Sequence, residues 1–149
     1  MRMGNRYFMQ QFIIPGNPIA KKRPRFARRG KFVTTYNDQE TEEGRFLWEI
    51  KQQIKRPPIK EPIKISCIFY MPRPKSHYGT GKNVGKLKLN APALHTKKPD
   101  LDNLEKFVYD CLNYVVWKDD SQIVESIAKK FYSDKPKTEI KIWTTEKNE

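Results

Sequence analysis

The sequence predicts an α/β domain in which two main helices pack against a small mixed β-sheet. Two segments carry apolar residues at helical spacing, and several shorter ones alternate apolar and polar residues as strands do. The 149 residues suffice for one domain with a core, which 18 aromatic residues help to fill. The predicted order of elements is β-β-α-β-loop-α-β-β, which we interpret as a single domain over residues 1–149.

The first half of the chain is predicted to hold three strands and one helix. Residues 7–14 alternate loosely before a Pro-Gly turn, and residues 31–36 are β-branched and aromatic, so both are predicted as strands. Residues 17–30 contain two prolines and are predicted as a loop. Asn37 or Asp38 can cap a helix that must end by Arg56, before a pair of prolines. Residues 62–71 alternate well and predict the third strand.

The second half contains a long loop, a helix, a short strand that the order above leaves out, and two longer strands. Residues 72–99 have four prolines, three glycines and no clean period, which predicts a loop of functional length. A helix with one apolar face follows from Asp100 to about Asn113. Strands are predicted over residues 115–117, 123–132 and 138–144, with a turn at 118–121 and a frayed C-terminal tail.

The formal net charge of +13 lies in two basic segments. Residues 17–31 hold seven Lys and Arg and no acid, and residues 72–99 hold seven more and no acid. The rest of the chain has 16 basic and 17 acidic residues, so it is nearly neutral. Solubility does not require this segregation, but a polyanion partner does, because each neutralised phosphate releases a counterion. Two solvated basic loops without a partner are the alternative.

The cysteines and the apolar segments exclude several classes of protein. Cys67 and Cys111 lie at neither zinc-finger nor zinc-ribbon spacing, and two cysteines make no disulfide framework. No segment approaches the roughly 20 apolar residues of a membrane span, and residues 7–14 are too short and too polar for a signal peptide. We expect a soluble cytoplasmic protein without a membrane partner. The two histidines, His77 and His95, lie in the long loop and are expected to be solvated or to face phosphate.

Carboxylates beside the second basic segment suggest a metal site. Asp100 and Asp102 open the second helix, and Asp119 and Asp120 follow it in a turn that can fold back toward them. Converging carboxylates repel one another unless a cation joins them, and an all-oxygen donor set suits Mg²⁺ or Mn²⁺. Such an ion can assist the cleavage of a phosphodiester.

Each of these residues also has a simpler explanation. Asp100 can be a helix cap and Asp102 a partner of the helix dipole. Asp119 and Asp120 can be turn residues, and Lys106 can be an i,i+4 ion-pair partner of Asp102. The simpler explanations lose force because an acidic cluster beside two lysines repels nucleic acid unless a metal bridges them.

Four motifs together resemble the RusA family of Holliday junction resolvases. They are Lys-Pro-Asp-Leu-Asp-Asn-Leu-Glu-Lys at 98–106, Asp-Cys-Leu-Asn at 110–113, Trp-Lys-Asp-Asp-Ser-Gln-Ile at 117–123, and Gly-Asn-Pro-Ile-Ala-Lys-Lys-Arg-Pro-Arg at 16–25. The motifs cover both ends of a chain of family length, in the family's order. Relatives often have a glycine directly after the helix, where this chain has Asn113–Tyr114.

The resemblance implies a small α/β homodimer that binds four-way DNA junctions and makes paired symmetric nicks with Mg²⁺. It implies that Asp100, Asp102 and Asp120 are catalytic residues and metal ligands, and that Lys106 is the catalytic-site lysine. The family's basic N-terminal motif includes Lys21, Arg23 and Arg25. With Lys97 and Lys98, these three are the first candidates for phosphate contacts.

A Mg²⁺-dependent resolvase (with Mn²⁺ possible as the ion) is therefore the predicted function, with branched DNA as the partner. Two other functions stay open from the sequence. One is a non-catalytic, structure-selective nucleic-acid-binding protein, which needs the basic segments but not the carboxylates. The other is a nuclease that acts on another branched DNA, such as a fork or flap.

Overall fold

The computed structural model of the chain describes residues 6–22, 25–30, 32–36 and 40–145. Within these ranges lie two α-helices and six strands. The helices are α1 (Glu40–Gln53) and α2 (Leu101–Leu112). The strands are β1 (Arg6–Pro15), β2 (Arg25–Arg29), β3 (Phe32–Tyr36), β4 (Ile63–Pro72), β5 (Ile123–Ser133) and β6 (Lys137–Thr145).

The main sheet has four strands in the order β1-β6-β4-β5. β6 pairs antiparallel with both β1 and β4, whereas β4 and β5 run parallel. The sheet is therefore mixed, as the sequence predicts. A parallel pair cannot be joined by a tight turn. The chain accordingly passes from β4 through residues 73–99 and α2 before it enters β5.

Both helices contribute to one hydrophobic core with one face of the sheet. Along β4 the side chains alternate between buried and partly exposed. The five on the buried side, Ile63, Ile65, Cys67, Phe69 and Met71, are each at most 4% exposed. From the helices, the rings of Phe46 and Phe107 meet edge to face with centroids 5.4 Å apart. Since α2 buries one stripe in this core, its opposite stripe is left to solvent.

The first basic segment is not the continuous loop that its prolines predict. Arg25–Arg29 pair antiparallel with Phe32–Tyr36 and form a separate two-stranded sheet, β2-β3. Gly30 connects the strands with a φ of +62°, a left-handed conformation that glycine adopts without steric cost. Both prolines of the segment precede β2, so they remove no donor from its pairing. The predicted strand over 31–36 is confirmed as β3.

The second basic segment is a loop, as predicted, and it contains two short 3₁₀ turns at Lys75–His77 and Gly81–Asn83. Its last part lies along the outer edge of β5, where Leu94 forms a bridge with Phe131.

The predicted strand over 115–117 is wrong. The N–H groups of Val115 and Val116 both donate to the Leu112 carbonyl, so the chain turns directly after α2. Trp117 alone forms bridges there, to Ile59 and Asn113. β-branched residues favoured a strand, but the tight turn leaves no room for one.

Three further expectations concern the start of α1 and the C-terminal tail, the two cysteines, and membrane spans. The proposed cap at Asn37 or Asp38 and the tail from residue 146 lie outside the described residues. Cys67 and Cys111 are free thiols, both buried. Neither described helix has the length and apolar character needed to traverse a bilayer.

Tyr114 is the residue at which the turn after α2 departs from ordinary backbone. Its φ is +67°, and its side chain is 74% exposed. A side chain in this region costs about 1–2 kcal/mol, against about 0.5–1 kcal/mol for ordering a glycine. We expect Tyr114→Gly to raise the free energy of unfolding by up to about 1 kcal/mol in urea denaturation.

Tyr114→Ala is the matched control, because it removes the ring but keeps the Cβ that causes the strain. An equal gain in both variants would show that left-handed strain is not the cause.

Candidate active site

The start of α2 places Asp100 and Asp102 in solvent. Asp100 occupies the N-cap position, yet its carboxylate makes no capping hydrogen bond. The simpler explanation of Asp100 as a side-chain cap therefore fails. Asp102 is 68% exposed and lies 3.7 Å from the Lys106 ammonium one turn later. This weak surface pair agrees with the i,i+4 explanation, and it also presents both charges to a ligand.

Asp120 is held in a fixed orientation at the entrance to β5. The indole Nε1–H of Trp117, a fully buried residue, donates to Asp120 Oδ1 over 2.7 Å. The Asp120 backbone N–H donates to Asn113 Oδ1 over 3.1 Å. One contact joins the turn to a core residue beyond α2, and the other to Asn113, directly after the helix. The position of this carboxylate is thus fixed by the core.

Asp119 has a different role from its neighbour. It forms a reciprocal capping box with Gln122, and its Oδ2 accepts from the Ser121 hydroxyl over 3.0 Å. Gln122 in turn donates to the carbonyls of Ile59 and Glu61. Asp119 is accordingly a turn residue, whereas Asp120 has one carboxylate oxygen without a role in the turn.

The electrostatics of Asp120 reveal an acid that the sequence candidates missed. Partial burial raises the pKa of Asp120, and the charges of Asp110 and Asp119 raise it further, while the Trp117 hydrogen bond opposes the shift. Asp110 belongs to the same side of α2 as Asp102 and Lys106, at four-residue spacing. This four-residue spacing is the sequence pattern from which Asp110 could have been identified.

The described residues contain no group of three or more Asp, Glu, His or Cys side chains that could hold a metal ion. The structure pairs Asp102 with Lys106 and places Asp120 in the field of Asp110, but it does not gather Asp100, Asp102 and Asp120. The donors themselves fit Mg²⁺ or Mn²⁺, since they are carboxylates and two of the three are exposed. The negative charges of Asp110 and Asp119, which act on Asp120 besides burial, would favour a cation beside it.

The five predicted phosphate contacts have different surroundings. Lys97 and Lys98 are exposed and directly precede the start of α2. Arg25 begins β2, and Arg23 lies outside the described residues. Lys21 differs from Lys97 and Lys98 because it is paired with acids. Its ammonium lies 3.1 Å from Asp110 and 3.5 Å from Glu43.

Lys21 joins the first basic segment to both helices. Its backbone N–H donates to the Asn103 carbonyl in α2 over 2.8 Å. Burial disfavours the charged amine, but the hydrogen bonds and charges of Asp110 and Glu43 outweigh burial and raise the pKa of Lys21. The positive charge of Lys21 is thus neutralised by acids of the protein itself.

A cleft of about 510 Å³ separates the two basic segments beside the start of α2. Arg73, His95, Lys97, Lys98 and Tyr132 are among its lining residues, and none of the described residues that line it is acidic. His77 and His95 both pack edge-on against Tyr132. The centroid of the Tyr132 ring lies 4.7 Å from that of His77 and 4.8 Å from that of His95. His95 is 8% exposed and therefore not solvated, and its place in the cleft beside Lys97 and Lys98 leaves the other expectation, that it faces phosphate, as a prediction.

Exposed carboxylates, a lysine within reach of one of them and a neighbouring basic surface define a candidate nuclease site. The family model described as endodeoxyribonuclease RusA matches residues 15–143. The chain therefore belongs to the RusA family, whose members are DNA endonucleases that resolve Holliday junctions. It is also 34% identical over 136 residues to the uncharacterized protein YqaN of Bacillus subtilis (strain 168), covering 89% of this chain and 94% of that protein.

We expect Lys21→Met to reduce stability because it leaves Asp110 and Glu43 without their shared cation. The free energy of unfolding in urea should fall by about 0.5–1 kcal/mol, as for a partly exposed pair. Lys22→Met is the matched control, since Lys22 is 52% exposed and pairs with Glu42 over 3.1 Å. An equal loss in both variants would contradict the bridging role of Lys21.

We expect Asp120→Asn to make the protein more stable at pH 7 than wild type. A raised pKa means that the folded state binds a proton at Asp120 more tightly than the unfolded chain. Wild-type stability therefore falls as pH rises from the ordinary aspartate pKa through the raised one. Asparagine keeps an acceptor for Trp117 and removes the charge.

Thermal unfolding at pH 3.5 and pH 7, in EDTA, measures this difference. The exposed residue Asp134 supplies the control variant Asp134→Asn. If the gain from Asp120→Asn is the same at both pH values, the titration of Asp120 is not its cause.

Proposed function

We propose that the protein is a metal-dependent resolvase that cuts four-way DNA junctions with paired symmetric nicks. The observation that carries the proposal is the start of α2, where an exposed Asp102 lies 3.7 Å from Lys106. Lys97 and Lys98 are exposed two to three residues before Asp100, so phosphate-binding charge adjoins the carboxylates. Membership of the RusA family supports branched DNA as the substrate.

Asp100, Asp102 and Asp120 would hold the divalent cation, Mg²⁺ or Mn²⁺. When bound, the ion polarises the scissile phosphate and lowers the pKa of water. The Trp117 hydrogen bond fixes one oxygen of Asp120 and leaves the other for this use. Lys106, 62% exposed, would stabilise negative charge on the phosphate or on the leaving oxygen.

Recognition would depend on phosphate positions more than on bases. Lys97 and Lys98 are the first proposed phosphate contacts, and Arg25, the first residue of β2, is proposed as another. Lys21 contributes less to these contacts than the sequence predicts, because Asp110 and Glu43 already neutralise it.

A homodimer completes the proposal. A four-way junction has approximate two-fold symmetry, and its resolution needs two opposed cuts. Two identical sites related by a two-fold axis supply both. We place the activity in the cytoplasm, which the free thiols Cys67 and Cys111 support.

The test is a nicking assay on a synthetic four-way junction, a fork, a flap and a linear duplex. Each is incubated with Mg²⁺, with Mn²⁺ or with EDTA, and sedimentation reports the mass of the free protein. Metal-dependent paired nicks confined to the junction support the proposal. Preference for a fork or flap would identify a different branched substrate, and junction binding without cleavage would identify a binding protein.

We expect Asp102→Asn to abolish cleavage, with a loss of at least about 100-fold, because it removes a ligand of the catalytic ion. Junction binding should be retained or tightened, since a negative charge beside the DNA is lost. Gel shift and single-turnover nicking measure the two effects separately. Asp134→Asn carries the same chemical change in the β5–β6 turn and should leave both unchanged. Undiminished cleavage by Asp102→Asn would refute this site.

A further inference from the structure

The segment that leads into α2 is attached to the outer edge of β5. The Tyr132 N–H donates to the Ala93 carbonyl over 2.8 Å, and the His95 N–H approaches the Lys130 carbonyl at 3.5 Å. Leu94 and Phe131 form an antiparallel bridge between these contacts. The backbone pairing ends at His95, five residues before Asp100.

The side chain of Lys130 continues the attachment where the backbone pairing stops. Its ammonium donates to the Lys97 carbonyl and to the Pro99 carbonyl, both over 2.9 Å. These two carbonyls flank Lys98 and immediately precede Asp100. Within the described part of the chain, Lys130 forms no ion pair, so its charge is directed at the main chain of this one segment.

We infer that Lys130 is a positioning residue, whose ammonium fixes the Lys97–Pro99 segment and thereby sets how Lys97, Lys98 and Asp100 are presented to DNA. The inference rests on the proposed nuclease function. Lys130 itself touches neither the carboxylates nor, as proposed, the scissile phosphate. It acts through two carbonyl groups.

The packing of α2 does not make this contact redundant. In the first turn of α2, Leu101 packs partly buried against the core and the Lys21 N–H donates to the Asn103 carbonyl, but the fully buried residues of the helix begin only at Leu104. Asp100 has an extended backbone and makes no capping bond, so the core does not fix its carboxylate. In the described structure the contacts of Lys130 are the last side-chain contacts to the main chain before Asp100.

Lys129 provides a matched control. It is adjacent on β5, has the same charge and is exposed, and successive strand residues point to opposite faces. Lys129→Met and Lys130→Met therefore remove the same charge from the same strand. Any effect of long-range electrostatics on DNA binding is shared, whereas loss of the carbonyl contacts is specific to Lys130→Met.

The experiment compares both variants with wild type by single-turnover nicking, junction affinity and amide hydrogen exchange over residues 96–104. We expect Lys130→Met to nick about 10- to 100-fold more slowly, as a small misplacement of a reacting group does. Its junction affinity should fall below that of Lys129→Met, because Lys97 and Lys98 are then less well placed for phosphate. Its exchange over 96–104 should be faster, and that of Lys129→Met unchanged.

Unchanged exchange over 96–104 in Lys130→Met would overturn the inference, whatever the nicking result. Equal loss of nicking in both variants would also overturn it, because charge alone would then be responsible. If wild type does not nick DNA at all, the proposed function fails, and hydrogen exchange still decides whether Lys130 holds this segment. If Lys130→Met does not fold, Lys130→Gln is judged by the same criteria, because its amide is uncharged and shorter.

Discussion

The parallel pairing of β4 with β5 is the constraint on which the position of the candidate site depends. Parallel neighbours require the chain to return across the sheet before the second strand begins. α2 makes this return, and its apolar residues must cover the sheet. The opposite side of α2 is thereby fixed as the polar side, where Asp102, Lys106 and Asp110 lie. The geometry of the sheet thus determines which residues of the helix can meet a substrate.

The two ends of this crossover meet the sheet in different ways. At its end, Asn113 and Trp117 bind Asp120, so the carboxylate at the entrance to β5 is fixed by the core. At its start, Leu101 packs partly buried against the core, and the segment just before the helix is held by polar contacts to the edge of β5, two of them from Lys130. Asp120 is therefore the rigid member of the candidate set. Asp100, just before the helix, depends more on this surface attachment.

Periodic burial explains why much of the fold was predictable from the sequence. The alternation in β4 and the apolar stripe of α2 record which side chains face the core, so each element appears in the sequence on its own. β2 was missed because its five residues include three arginines, which hide any alternation. At Tyr114 the sequence signal was indirect: relatives often have a glycine directly after this helix, and here Tyr114, at that position, takes a positive φ in the turn that leads back to the Leu112 carbonyl.

The candidate site was predictable in its residue types more than in its contacts. Lys21, Lys106 and Lys130 are all lysines near the carboxylates, but their surroundings separate them. Lys21 is matched by two acids, and Lys130 is directed at two carbonyls. Lys106 is 62% exposed with one partner at 3.7 Å, a weak pair that a phosphate can displace. Lys130 keeps its charge, but two of its N–H donors are used by the two carbonyls, and Lys21 is neutralised by two acids. Of these three, Lys106 is therefore the one whose ammonium is exposed and weakly paired, so a phosphate can replace its partner.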